Sequence, residues 1–157
     1  MKSLNQWFDE YAESHQNKTN QQIHFICVPV IFFSIVGLFM SINSNIISTT
    51  LNIHNPFIEN WAALVLLILL IFYIRLSFNI FVKMLTFSIV CLVGNYFLGE
   101  LVPLLPTSIV LFVVAWIGQF YGHKLESKKP SFFKDLQFLL IGPAWVFEKL
   151  LIKRATV

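Results

Sequence analysis

From Phe25 to Ile42 the chain runs FICVPVIFFSIVGLFMSI, and none of those residues is charged. A helix that crosses the hydrocarbon of a bilayer needs about 20 predominantly apolar residues in succession. Such a stretch is either a membrane span or the centre of a large soluble core, and the rest of the sequence argues against the core. Apolar residues make up 57% of the 157 positions and charged residues only 12%, with a mean hydropathy of +0.72. An ordinary globular domain has about 45–50% and about 25%. Too little polar material remains to cover so large a core in water. The sequence therefore predicts an all-α integral membrane protein, with residues 1–157 forming a single membrane domain.

Three more apolar segments follow, and the expected transmembrane helices are 25–42, 60–76, 78–98 and 104–121. The second is the shortest and reaches a workable length only by borrowing from Glu59–Asn60 and Arg75–Leu76. Two connections, NSNIISTTLNIHNPFIEN and GELVPLLP, contain no Lys or Arg, and all 11 basic residues lie outside them. By the positive-inside rule both termini and the connection between the second and third helices face the cytoplasm. Four spans, N-in/C-in, satisfy every loop, whereas three or five would put a basic region on the wrong side. The host membrane would be a bacterial inner membrane or the endoplasmic reticulum.

The flanking segments are amphipathic. Within residues 2–14, Leu4, Trp7, Phe8 and Tyr11 recur at i, i+3, i+4 and i+7, which suits an interfacial helix with aromatic anchors. Residues 130–153 are apolar in pieces but interrupted at Gly142–Pro143, which predicts interfacial helices on either side of a break. The first 24 residues carry Asp9, Glu10 and Glu13 and lack the apolar core of a signal peptide. Cys27 and Cys91 lie far apart in apolar stretches and read as small buried hydrophobes. The net charge of +3 comes from sparse bases bordering apolar segments, so no nucleic-acid partner is expected.

The polar residues that remain are concentrated around histidine. His15 and His24 precede the first span and His123 follows the fourth, so the expected topology brings three of the four histidines to one membrane face; His54 lies across the membrane. On one continuous helix His15 and His24 would point in opposite directions. QNKTN between them supplies a break, with a second helix capped near Asn20. Asn20 and His24 then share a face, as do Gln119, His123 and Glu126. His123 and Glu126 form an HxxE pair of the kind found in carboxylate–histidine bundles. Imidazoles with a carboxylate suit a mid-row divalent metal: two His and one carboxylate describe non-haem Fe(II) sites, and zinc competes. A plainer reading has interfacial histidines, with Glu126 balancing Lys124, Lys128 and Lys129. Glu148 is a lesser candidate, able to reach the site or to pair with Lys149 and Lys153, and Glu100 reads as a solvated helix end.

The pieces YAESHQNKTNQQIHFICVPV and WIGQFYGHKLESKKPSFFKDLQFLLIGPAWVFEKL, in this order, resemble the Mpo1-like family over almost the whole chain. The resemblance implies an Fe(II)-dependent dioxygenase that shortens long-chain 2-hydroxy fatty acids by one carbon, with O2 as co-substrate. It implies His15, His24 and His123 as iron ligands, Glu126 as a less certain fourth, and Asn20 and Gln119 as partners that orient the imidazoles. The acyl tail would lie among the spans, with other membrane lipids as neighbours, and its carboxylate near Lys18, Lys124, Lys128 and Lys129. Two other classes stay open: a non-catalytic lipid-binding or scaffold protein, and a zinc-dependent membrane lipid hydrolase.

Overall fold

The structure is a computed structural model that describes residues 2–52, 55–126, 138 and 140–149. These form α1 (Leu4–Glu13), α2 (Lys18–Met40), α3 (Asn45–Leu51), α4 (Trp61–Leu76), α5 (Phe78–Leu101) and α6 (Leu104–Leu125). A further helical run covers 140–149, and no strand occurs among the described residues.

Each boundary has a local cause. Ser3 opens α1 with a reciprocal cap: its Oγ accepts from the Gln6 N–H, while its own N–H donates to Gln6 Oε1 at 2.8 Å. Asn17, and not Asn20, caps α2, its Oδ1 accepting from the N–H groups of Thr19 and Asn20 at 2.9 and 3.3 Å. The helix thus starts well before Phe25 and includes the polar turn that the sequence suggested as its approach. Asn60 caps α4 through the Ala63 N–H at 2.8 Å, and the extended backbone of Ser77 ends it.

Those two stops hold α4 to 16 residues, so among the described residues three helices, and not four, are long and apolar enough to cross a membrane: α2, α5 and α6. At about 1.5 Å per residue α4 is roughly 24 Å long, short of the ~30 Å hydrocarbon layer. It nevertheless carries an exposed apolar face of Leu64, Leu67, Ile68 and Ile71. The short helix α3 falls in a connection that was expected to be a loop.

α2 is the centre of the bundle and packs on α4, α5 and above all α6. Toward one end, a Cβ on Gly37 would come within 2.3 Å of both Asn95 Oδ1 and Ser108 Oγ, so α2, α5 and α6 meet there because one of them has no side chain. Asn95 Nδ2 ties α5 to α2 by donating to the Phe33 carbonyl at 3.0 Å.

At the other end the start of α2, the end of α6 and the run 140–149 come together. The Tyr73 hydroxyl donates to the Leu140 carbonyl, and Lys83 pairs with Glu148 at 2.5 Å. Glu148 is thereby engaged with α5 and not with Lys149. The run 140–149 passes through Gly142 and Pro143 without the break expected there. The glycine serves packing instead: a Cβ on Gly142 would lie 3.1 Å from the Tyr11 hydroxyl. Neighbouring groups allow a membrane helix to keep a proline, as Pro29 within α2 also illustrates. The apolar stripe of α1 is directed at protein: Tyr11 is buried with Phe138, Ile141 and Trp145, and Trp7 and Phe8 pack beside it. His54, Lys128, Lys129 and most of 130–153 lie outside the described residues.

Candidate metal centre

The interruption between α1 and α2 places the first imidazole. The Ser14 and His15 N–H groups close the end of α1 on the Tyr11 and Ala12 carbonyls at 3.2 and 3.0 Å. Gln21 Nε2 donates to the His15 carbonyl at 2.6 Å and holds the turn onto α2. His15 Nδ1 is 2.7 Å from the Tyr11 carbonyl, and His24 Nδ1 is 2.9 Å from the Asn20 carbonyl. A carbonyl oxygen only accepts, so in both rings Nδ1 carries the hydrogen and Nε2 holds the lone pair. The two histidines are thus fixed in the same tautomer by the same i−4 device.

His123, on the last turn of α6, supplies the third ring. One ring nitrogen from each of His15, His24 and His123 lies within 4.8 Å of the others. Ring centroids are 4.3 Å apart for His15–His24, 5.0 Å for His24–His123 and 5.6 Å for His15–His123. His15 and His24 are 2% and 1% exposed, and the rings border a cavity of about 30 Å³. That is room for an ion with a water or two. The rest of the wall includes Gln119, Trp116, Val28, Ile31 and Phe138. His15 Nε2 is buried without any hydrogen-bond partner, and so is Trp116 Nε1. An orphaned imidazole lone pair beside two other imidazoles is a costly arrangement unless a cation shares it, so these residues fit a divalent metal.

Burial pushes the His15 imidazole down to about 4, against the raising effect of its bond to the Tyr11 carbonyl, and the neighbouring His123 adds to the lowering. At neutral pH the ring is uncharged and its lone pair is available, which metal binding requires.

The other expected site residues surround this trio. Gln119 is buried and lines the same pocket as the three histidines. Asn20 is fully buried; its Nδ2 donates to Glu126 Oε1 at 3.0 Å, and its carbonyl orients His24. Glu126 Oε1 also accepts from the Asn17 N–H at 2.7 Å. The carboxylate therefore clips the end of α6 to the start of α2, and the donor atoms that converge are three imidazole nitrogens. Burial alone would raise the Glu126 carboxyl, but the hydrogen bonds from Asn20 and Asn17 and the nearby His15 hold it below the usual carboxylate range.

Several contributors escaped the sequence reading. Tyr11 stacks flat on His15, with centroids 4.1 Å and planes 8° apart, and Trp145 lies 5.8 Å from the same ring. Gly122 lets α6 reach α2: a Cβ there would sit 2.3 Å from Asn20 Oδ1 and 3.4 Å from His24 Cε1. Gly118, one turn earlier, similarly faces Cys27 Sγ at 2.7 Å. The spacing Gly118-x3-Gly122 is a close-approach signal for membrane helices and was available in the sequence.

A helical bundle with membrane-length apolar helices and three converging imidazole rings at one end defines a membrane protein with a candidate metal site of nitrogen donors. A family model described as "2-hydroxy-palmitic acid dioxygenase Mpo1-like" matches residues 1–154, and the chain belongs to this Mpo1-like family. No curated protein and no solved structure matches it.

Proposed function

We propose that this chain is a non-haem Fe(II) dioxygenase of the membrane that shortens long-chain 2-hydroxy fatty acids by one carbon. The observation that carries the reading is the meeting of His15, His24 and His123, with His15 Nε2 buried and unpartnered. The family description supports both the reaction class and a hydroxylated long-chain acid as substrate.

His15, His24 and His123 would hold the ion and leave coordination positions for ligands other than protein. Bound there, Fe(II) would supply the activation of O2 that cleaves the C1–C2 bond. The atoms balance with one O2: the 2-hydroxy acid yields an acid one carbon shorter, CO2 and water. The Tyr11 and Asn20 carbonyls keep both Nδ1 atoms protonated, so each Nε2 remains a donor. Lys18 and Lys124 flank this end of the bundle and attract the substrate carboxylate. The unpaired Trp116 N–H is a further hydrogen-bond donor in the wall. Val28, Ile31 and Phe138 limit water around the reacting carbon.

The described basic residues Lys2, Lys18, Arg75, Lys83, Lys124 and Lys149 belong to helix ends at the histidine side of the bundle, which supports a cytoplasmic site. Three histidines also suit catalytic zinc, so a zinc lipid hydrolase is the second reading. The test is metal analysis of anaerobically purified protein beside the His15→Ala/His123→Ala double variant. Iron near one per chain, lost in the variant, together with O2-dependent loss of a 2-hydroxy fatty acid, is the expected result. Zinc in its place favours hydrolysis, and no metal in either folded protein leaves a lipid-binding scaffold.

A further inference from the structure

Beyond the histidine pocket, a second cavity of about 190 Å³ lies between α2 and α4, and its wall is almost wholly apolar. Phe32, Ile35, Phe39, Ala62, Leu66 and Leu140 are among its lining residues. Ala62 belongs to the first turn of α4 and Phe39 to the last turn of α2, so the cleft reaches the end of the bundle opposite the histidines. At its near end Leu140 is fixed to α4 by the hydrogen bond that its carbonyl accepts from the Tyr73 hydroxyl.

The linings of the two cavities succeed one another along two elements of the chain. On α2, His24, Val28 and Ile31 border the histidine pocket, and Ile35 continues the same helical face into the cleft. On the C-terminal run, Phe138 borders the pocket and Leu140 the cleft. Ile31 and Phe138 are therefore the pocket residues nearest the cleft along these two elements. The helix from His24 to Phe39 is about 22 Å long at about 1.5 Å per residue, which matches an extended long-chain acyl group.

We infer that the α2–α4 cleft holds the acyl tail of the acid whose polar head lies at the three histidines, and that Ala62 and Phe39 at its far end set the accepted chain length. This rests on the reading that the head binds at the histidines. One helix face runs from a histidine-lined pocket to a cleft with almost no polar surface, and that order of environments matches an amphiphile with a single long tail. A bilayer lipid lodged from the side is the competing occupant, and it would be indifferent to the length of an added acid.

The test uses full-length protein in detergent, loaded with its metal and offered an equimolar series of 2-hydroxy fatty acids of graded length. Bound species are read by native mass spectrometry, independently of turnover. Ala62→Leu fills the far end and shifts the bound profile toward shorter acids. Excluding about two methylenes changes the long-to-short ratio by roughly tenfold. Phe39→Ala opens the same end and shifts the profile toward longer acids; because it only removes bulk, it serves where the leucine variant fails to fold. If neither folded variant moves the profile while the wild type turns over hydroxy acids, the cleft assignment falls and the dioxygenase reading stands. If nothing is oxidised but the bound profile still moves in these directions, the dioxygenase reading falls and the cleft stands. Folded wild-type protein that retains no acid overturns the cleft.

Discussion

Tyr11 and His15 are joined twice: the rings stack at 4.1 Å between centroids, and the Tyr11 carbonyl receives the His15 Nδ1 hydrogen at 2.7 Å. The backbone contact fixes the tautomer and the ring contact fixes the plane. Tyr11 also meets Phe138 edge-on at 5.2 Å and Trp145 at 5.0 Å, so it links α1, the C-terminal run and the histidine pocket.

Removing the ring therefore acts on stability and on the site together. Tyr11→Ala leaves the Nδ1 acceptor in place and deletes an almost fully buried aromatic. Losses for large buried aromatics run about 3–5 kcal/mol. Denaturant unfolding of the detergent-solubilised variant measures this, and metal titration of the surviving folded fraction is expected to show weaker binding. Unchanged stability and unchanged affinity would remove Tyr11 from the site.

Gly122→Ala adds one methyl where only 2.3 Å separates the new carbon from Asn20 Oδ1. Asn20 is held by Glu126 and by the start of α2, so it has little room to yield. Overpacking of this kind costs about 1–3 kcal/mol. His24, four residues from Asn20, moves with it, and metal affinity is expected to fall more than it does for Gly99→Ala. At Gly99 the nearest atom to an added Cβ is 3.7 Å away.

Glu126 gives the fold a pH dependence of predictable sign. Its folded carboxyl is held below the ordinary range, chiefly by the Asn20 and Asn17 hydrogen bonds working against burial. A group depressed in this way stabilises the fold fully above its unfolded pKa of about 4.3, and the contribution is lost as pH falls through the lower folded value. Acid unfolding followed from pH 6 downward is expected to be less steep in Glu126→Gln than in the parent chain. Superimposable profiles would mean that the α2–α6 clip contributes nothing to the folded state.

The distance between what the sequence disclosed and what it withheld has physical causes. Long apolar runs announce themselves even where one holds a single lysine, so α5 and α6 begin where expected, at Phe78 and Leu104. The grouping of His15, His24 and His123 was also legible, because charge bias places helix ends and a polar break turns the chain. The start of α2 was misread because QNKTNQQ has the composition of a linker, although Asn17 caps a helix there and Asn20 is buried inside the bundle. α3 is built of Asn, Ile, Ser and Thr, which favour loops when read singly. Gly142–Pro143 looked like a stop because the sequence does not reveal that Tyr11 lies against that glycine. The partners of Glu126 and Glu148 depended on contacts across 109 and 65 residues, which no local pattern encodes.

The separation of the histidines along the chain also orders events during synthesis. His15 and His24 leave the ribosome early, but His123 belongs to α6, the last of the membrane-length helices among the described residues. Only Val102 and Pro103 separate α5 from α6, so the two are synthesised as one helical hairpin. Until that hairpin docks on α2, a growing chain presents no more than two imidazoles and cannot close the trio. On the proposed function, metal capture would therefore wait for the final stage of assembly, and an incomplete chain would offer no closed site to a metal or to oxygen.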